Sequence, residues 1–365
     1  MSSTFKTVKK ILLISLVLLQ ATAYCQPKYK VIAYYTGNSE NLRQYPLDKL
    51  THVIYSFLRL RNDSLTFRDS MQQQTVQQIV ALKKDHPQLK VMVSVGGWGG
   101  CAVCSGLFDT VARRTTFVKT AVQLLKDYNI DGLDLDWEYP AIEGYPGHQF
   151  LSQDKNNFTA LVKELRAEMG KDYLLSFAAG GFTQYLEQSI AWDEVVPKMD
   201  FINLMTYDLV GGYSKVTGHH TPLAGNLPGQ ETTTKCVSWL LDKKIPASKL
   251  MIGAAFYGRV WQDVADTNHG LYQSGNFLQG VSYKNFSTYF SDTSGFTRYW
   301  DKKAKAPYQY NKSKNLFATF DDLKSISEKT KFVRRKKLGG VMFWELSDDK
   351  FSEGLVDAVE QGLND

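Results

Sequence analysis

The chain has 365 residues, of which 43% are hydrophobic, 22% charged and 13% aromatic, and its formal charge is +6. That length allows one large domain with an addition, and the composition is that of a soluble globular chain, which excludes a disordered or fibrous one. Lys6, Lys9 and Lys10 stand within the first ten residues; without them the charge is +6 − 3 = +3, and no basic run remains that would track a nucleic acid.

Residues 1–23 read as an export signal: the three lysines, an apolar run over 11–19, and the small-x-small site Ala21-Thr22-Ala23. The run is too short to persist as a membrane span, and no later stretch has about 18 consecutive apolar residues. The mature chain, 24–365, is therefore expected to be secreted or periplasmic after cleavage near Ala23, soluble and monomeric. A lipid anchor on Cys25 is the rival, disfavoured because Tyr24 is bulky where such sites prefer a small residue.

Residues 30–35, 51–58 and 89–95 read as buried strands, with helical spacing over 71–84. The connection 36–50 is too irregular to assign. Gly96 and Gly97 open a loop that holds Cys101 and Cys104. This pair reads as a redox pair, half of a zinc site or a local disulfide; no second cysteine pair or spaced histidine set accompanies it, and export favours the disulfide. A helix is expected over 112–128. Then comes 130–140, IDGLDLDWEYP, where Asp134, Asp136 and Glu138 alternate with Leu133, Leu135 and Trp137. On a strand the acids share one face and the apolar residues the other. Such a strand suits an outer face covered by helices and an inner face lining a site. Carboxylates that close cannot all ionise cheaply, so they are expected to share protons. An EF-hand calcium loop would need a central Gly and flanking helices, which are missing.

Helices over 157–169, 184–196, 232–243 and 321–336, with a last one from 353, alternate with strands over 173–178, 201–207, 249–256 and 340–344. Eight apolar strands alternating with helices predict an α/β fold, the (β/α)8 TIM barrel. An open doubly wound sheet would want a three-glycine phosphate loop after the first strand, and 31–39 has one glycine. The span 259–319 is far longer than an ordinary loop. Rich in aromatics and short β-like pieces, it reads as an α+β insertion domain between strand 7 and helix 7. Cys236 is expected to be a buried free thiol.

The acidic stretch resembles the DxxDxDxE signature of glycoside hydrolase family 18, the chitinases, met by Asp131, Asp134, Asp136 and Glu138. The resemblance continues in Ser94-Val-Gly-Gly-Trp98, Asn203-Leu-Met-Thr-Tyr-Asp208, Gly253-Ala-Ala-Phe-Tyr-Gly-Arg259 and Gly339-Gly-Val-Met-Phe-Trp344, in order along nearly the whole mature chain. It implies retaining hydrolysis of β-1,4-linked N-acetylglucosamine polymers, with the substrate's acetamido oxygen as nucleophile. Glu138 would be the general acid and base, Asp136 would orient the acetamido group, and Asp134 would hold a proton with Asp136. Tyr207 would bond the acetamido oxygen, with Tyr34 and Ser94 supporting Asp134. Trp344 would floor the cleavage site, Met205 and Asp208 would line the same pocket, and Trp98, Tyr213, Tyr257, Arg259 and Trp261 would wall further subsites. The cysteine loop, and Tyr213 where some relatives place Trp, leave chain-length preference open. No cofactor is implied. His219-His220 invites a metal, but adjacent side chains seldom point at one ion, so none is expected. The alternatives are an endo-β-N-acetylglucosaminidase acting on N-glycans or peptidoglycan, and a non-catalytic chitin-binding lectin, which the intact acid at Glu138 disfavours.

Overall fold

The computed structural model describes residues 29–225 and 227–365, so the export signal and Cys25 lie outside the described residues. The strands run β1 (Lys30–Tyr35), β2 (His52–Arg61), β3 (Ser64–Thr66), β4 (Lys90–Gly96), β5 (Gly132–Asp136), β6 (Leu174–Gly180), β7 (Phe201–Met205), β8 (Leu250–Ala255), β9 (Tyr257–Gln262), β10 (Asn276–Ser282), β11 (Thr297–Asp301), β12 (Ala306–Asn311), β13 (Leu316–Phe320) and β14 (Gly340–Trp344). Eight of them, in the order β1-β14-β8-β7-β6-β5-β4-β2, are parallel neighbours, and β1 also pairs with β2, which closes the barrel. β3 folds back antiparallel on β2.

Alternation along each strand separates two apolar layers. Ile32, Tyr34, Ile54, Met92, Phe201, Met251 and Met342 fill the lumen. Val31, Ala33, Tyr35, Val91, Val93, Leu133 and Leu135 face outward into the core under the helices. Strands buried on both faces read as continuous apolar runs, which is why they were legible.

The main covering helices are α1 (Ser70–Ala81), α2 (Val111–Asp127), α3 (Asp154–Met169), α4 (Thr183–Gln188), α5 (Trp192–Val195), α6 (Thr233–Asp242), α7 (Leu323–Lys336) and α8 (Leu355–Asn364). Asp69, Thr110, Thr232 and Asp322 cap α1, α2, α6 and α7, each side chain accepting a first-turn N–H. One expectation fails here: 184–196 is two short helices rather than one. The Trp192 indole N–H takes the Leu186 carbonyl at 2.8 Å, the acceptor that residue 190 would need in a continuous helix. The unassigned connection 36–50 holds two short helical pieces, Ser39–Leu42 and Leu47–Lys49. Cys101 and Cys104 are joined by a disulfide, and Cys236 is a buried free thiol.

Between β8 and α7 the chain builds a second, antiparallel sheet in the order β10-β9-β13-β12-β11. It begins at Tyr257, separated from the end of β8 by Phe256 alone, so its first strand follows closely on a barrel strand. It has small cores of its own, Val260, Phe290 and Phe320 on one face and Trp261, Tyr310 and Phe317 on the other. Among the described residues no helix is long and apolar enough to cross a membrane.

Candidate active site

The acidic strand β5 lies between β4 and β6, and its register sets Ser94 and Ser176 on either side of Asp134. Asp134 is fully buried and accepts four hydrogen bonds: from Tyr34 Oη at 3.0 Å and Ser94 Oγ at 2.8 Å on one oxygen, and from Ser176 Oγ at 2.6 Å and Asn203 Nδ2 at 3.3 Å on the other. Burial raises its pKa, and these four donors offset only part of the rise.

Asp136, one step up the same face, is buried with one carboxyl oxygen lacking any hydrogen-bond partner. Burial, then the charges of Glu138 and Asp134, push its pKa well above the usual carboxylate range. Glu138 is partly exposed to the cleft, and its pKa is raised to about 7, by burial first; a hydrogen bond from Tyr139 opposes the rise and the charge of Asp208 adds to it. Two carboxyls with raised pKa values thus stand above an anchored one.

The turn after β4 fits closely under this strand. Gly97 N–H donates to the Asp136 carbonyl at 2.7 Å. Gly96 has φ +113°, and a Cβ there would come 2.0 Å from that carbonyl oxygen, so only glycine fits.

Above the acids opens a cleft of about 850 Å³, lined by Asp136, Glu138, Met205, Tyr207, Asp208 and Trp344 among others. Trp344, at the end of β14, stacks on Phe57 with centroids 5.6 Å apart and planes 17° apart. Tyr207 follows β7, and its hydroxyl has the Met342 thioether at 3.9 Å, a weak acceptor. Asp208 is paired two-pronged with Arg259, one bond being 2.5 Å, and has His220 Nδ1 at 3.4 Å. Burial pushes its pKa up, but the Arg259 bonds outweigh that and hold it well below the usual range. Trp98 and Tyr213, 46% and 67% exposed, face each other across 6.0 Å at the mouth. Tyr257 is buried against the Arg259 guanidinium and lines the same space.

One predicted residue sits elsewhere than expected. Trp261 is fully buried in the second sheet, packed on Phe277 and Phe317, with its indole N–H on the Ser214 carbonyl at 3.1 Å. It is no cleft wall: it shares the face of Tyr257 and Arg259 but lies further along β9, where Phe277 and Phe317 cover it, and it fastens the loop that carries Tyr213. Tyr34 and Ser94 lie beneath the cleft as donors to Asp134, the supporting place expected of them. Asp131, the first acid of the signature, accepts from Lys83 Nζ at 2.9 Å and Val91 N at 2.8 Å, a fastening of strand entry rather than a site role.

His219 and His220 diverge, one toward Asp301 at 3.1 Å and the other toward Asp208. Among the described residues no group of three or more His, Cys, Asp or Glu could hold a metal ion. Sequence reading missed Phe57, Phe182, Phe277 and Asp348, which also line the cleft. Phe57 carries no signal beyond that of any apolar strand residue.

Barrel, acidic strand and aromatic cleft together define a family. The chain belongs to glycosyl hydrolases family 18, whose family model matches residues 30–349. It is 31% identical over 411 residues to Chitinase A1 of Niallia circulans, across 92% of this chain and 59% of that protein, so it spans less than two thirds of that relative. The solved glycoside hydrolase family 18 N-acetylglucosaminidase of Paenibacillus barengoltzii superposes with TM-score 0.83 at 35% identity, covering 92% of this chain and 100% of that one. A mutant of Group II chitinase catalytic domain 2 from Ostrinia furnacalis, in complex with penta-N-acetylchitooctaose, superposes at 0.84 with 26% identity, covering 92% and 97%.

Proposed function

We propose that this protein is an exported, monomeric chitinase that hydrolyses β-1,4-linked N-acetylglucosamine chains with retention, using the substrate's own acetamido group as nucleophile. Family membership supports the broader statement, a glycoside hydrolase of the chitinase type. The observation that carries the finer one is the pair formed by Asp136 and Glu138: a carboxyl with an unpartnered oxygen beside one whose pKa is raised to about 7. The oligosaccharide complex of the Ostrinia relative supports the substrate class. Export rests on the lysines, apolar run and small-x-small site of residues 1–23.

In this reading the Glu138 carboxyl passes its proton to the glycosidic oxygen as the C1–O bond breaks. The acetamido carbonyl oxygen forms the new bond to C1, and an oxazolinium ring results. Asp136 accepts the acetamido N–H and offsets the positive charge on that nitrogen. The Glu138 carboxylate then takes a proton from water, whose oxygen opens the ring at C1. Tyr207 donates to the acetamido oxygen and fixes its line of attack. At rest Asp134 and Asp136 share one proton; when Asp136 turns to the acetamido group the proton stays on Asp134, whose pKa burial raises, and Asp136 is left as the carboxylate that faces the N–H. Trp344 supports the apolar face of the sugar at the cleavage point.

The test incubates the wild type and Glu138→Gln with N-acetylchitohexaose and with a high-mannose glycopeptide. Shorter chito-oligomers from the wild type alone are expected. Glycan release without chito-oligomers would transfer the assignment to the endo-β-N-acetylglucosaminidase reading, and turnover by the Gln variant at the wild-type rate would remove the role given to Glu138. The N-acetylglucosaminidase neighbour favours a second reading, release of single sugars, which the same product analysis distinguishes.

A further inference from the structure

Among the described residues one ion pair has both side chains out of solvent: Lys329 Nζ and Asp321 Oδ2, 2.5 Å apart and 1% exposed on each side. Removing two charges from water costs several kcal/mol per ion, and a packed apolar pair often stabilises a core as well or better. Packing alone therefore does not account for it. Its hydrogen bonds do.

Lys329, on α7, also donates to Thr221 Oγ1 at 2.5 Å and to the Gly253 carbonyl at 3.3 Å. Asp321 accepts from Ala255 N at 3.0 Å and from Ser325 Oγ at 2.6 Å. Thr221 Oγ1 lies 3.2 Å from the Thr206 carbonyl and 3.2 Å from Asp321 Oδ2. Thr206 Oγ1 accepts the Gly253 N–H at 3.0 Å and donates to the Gly253 carbonyl at 3.2 Å. Thr206, Thr221, Asp321, Ser325 and Lys329 are all buried.

The place of this network matters. The ladder between β7 and β8 ends at Leu204 and Ile252. Beyond it, these side chains replace the ladder, and the stretch they hold is the one that carries Tyr207. Thr206 precedes Tyr207 in the chain, and the Tyr207 ring lies so close over Gly253 that a Cβ there would come 2.9 Å from it. Neither Lys329 nor Asp321 lines the cleft.

We propose that Lys329 and Asp321 are a positioning pair that holds the ends of β7 and β8 in one arrangement, so that the Tyr207 hydroxyl stays where the acetamido oxygen is to be held. This rests on the role given to Tyr207 above. The charges are retained because the Gly253 carbonyl takes a donor from Lys329 and the Ala255 N–H an acceptor from Asp321, and an apolar pair supplies neither.

The test compares wild type, Lys329→Met and the apolar replacement Lys329→Met/Asp321→Leu, each in the Tyr207 and Tyr207→Phe backgrounds. Melting temperature is measured with kcat and KM on a fluorogenic chitobioside, and crystal structures are determined for wild type and the apolar replacement. Lys329→Met leaves a buried carboxylate unpaired and is expected to lower the melting temperature, and the apolar replacement to restore most of it. Both are expected to lower kcat by about ten- to a hundred-fold with KM within about two-fold, since a displaced group costs rate rather than binding. In the Tyr207→Phe background neither should lower kcat further, because both act through the same hydroxyl. Recovery of kcat together with the melting temperature, or an equal fold loss in both backgrounds, overturns the proposal. The crystal structures are a readout independent of turnover: the proposal expects the Tyr207 hydroxyl to move in the apolar replacement, and an unmoved hydroxyl contradicts it. A wild type inactive on the chitobioside sinks the chitinase reading, while the crystal structures still decide the positioning claim.

Discussion

Glu138→Gln is expected to abolish catalysis and, at alkaline pH, to stabilise the fold. The side chain is pushed from its ordinary 4.5 to about 7 by burial, with a smaller contribution from the charge of Asp208. A carboxyl whose folded pKa stands above its unfolded value binds its proton more tightly in the native state. Between pH 4.5 and about 7 the native protein therefore holds more protons than the unfolded chain and loses stability as the pH rises. The rise corresponds to about 3.4 kcal/mol at 1.36 kcal/mol per pH unit. Water in the cleft screens part of that, which leaves about 2 kcal/mol. At roughly 2.1 cal/mol/K of unfolding entropy per residue, 365 residues convert it to about 3 °C. The neutral amide also relieves Asp136, whose own pKa is raised partly by the charge of Glu138. Scanning calorimetry of both proteins at pH 4 and pH 8 is the assay. The variant should match the wild type at pH 4 and melt about 3 °C higher at pH 8. A gap that is the same at both pH values, or a variant less stable at pH 8, refutes a raised pKa at this position.

Since Glu138 must carry its proton to act as the acid, kcat/KM on a fluorogenic chitobioside should fall as the pH rises through about 7. Asp208→Asn removes a charge that helps raise that pKa, so the alkaline limb of the variant should move to lower pH; a limb that stays in place would show that Asp208 does not act on Glu138 electrostatically. Trp344→Ala deletes the aromatic floor and should cost about 2 kcal/mol in transition-state binding, about thirty-fold in kcat/KM, while Trp344→Phe keeps most of it. Steady-state kinetics on N-acetylchitohexaose check that difference.

The acids of β5 were legible because a strand repeats every second residue and carboxylates inside a barrel have few structural explanations; Asp134 and Asp136 lie buried on the face opposite Leu133 and Leu135. Apolar runs buried on both faces made the eight barrel strands legible in the same way. Residues with two equally ordinary uses were not. Trp261 read as a sugar platform and packs a sheet instead, while Phe57 read as core and stacks under Trp344. Lys329 was invisible for a different reason: a lysine on an amphipathic helix looks like part of the solvated face, and only the tertiary contact with Asp321 shows that it points inward. The break in 184–196 depended likewise on one indole hydrogen bond that spacing does not encode.

The claim that the substrate supplies the nucleophile is tested most directly by the configuration of the first product. The account predicts that NMR of N-acetylchitohexaose during the first minutes of wild-type hydrolysis shows the new reducing ends as the β-anomer, before mutarotation, because closure and opening of the oxazolinium ring invert C1 twice. An initial burst of the α-anomer would mean that water displaces the leaving group in one step, and would contradict it.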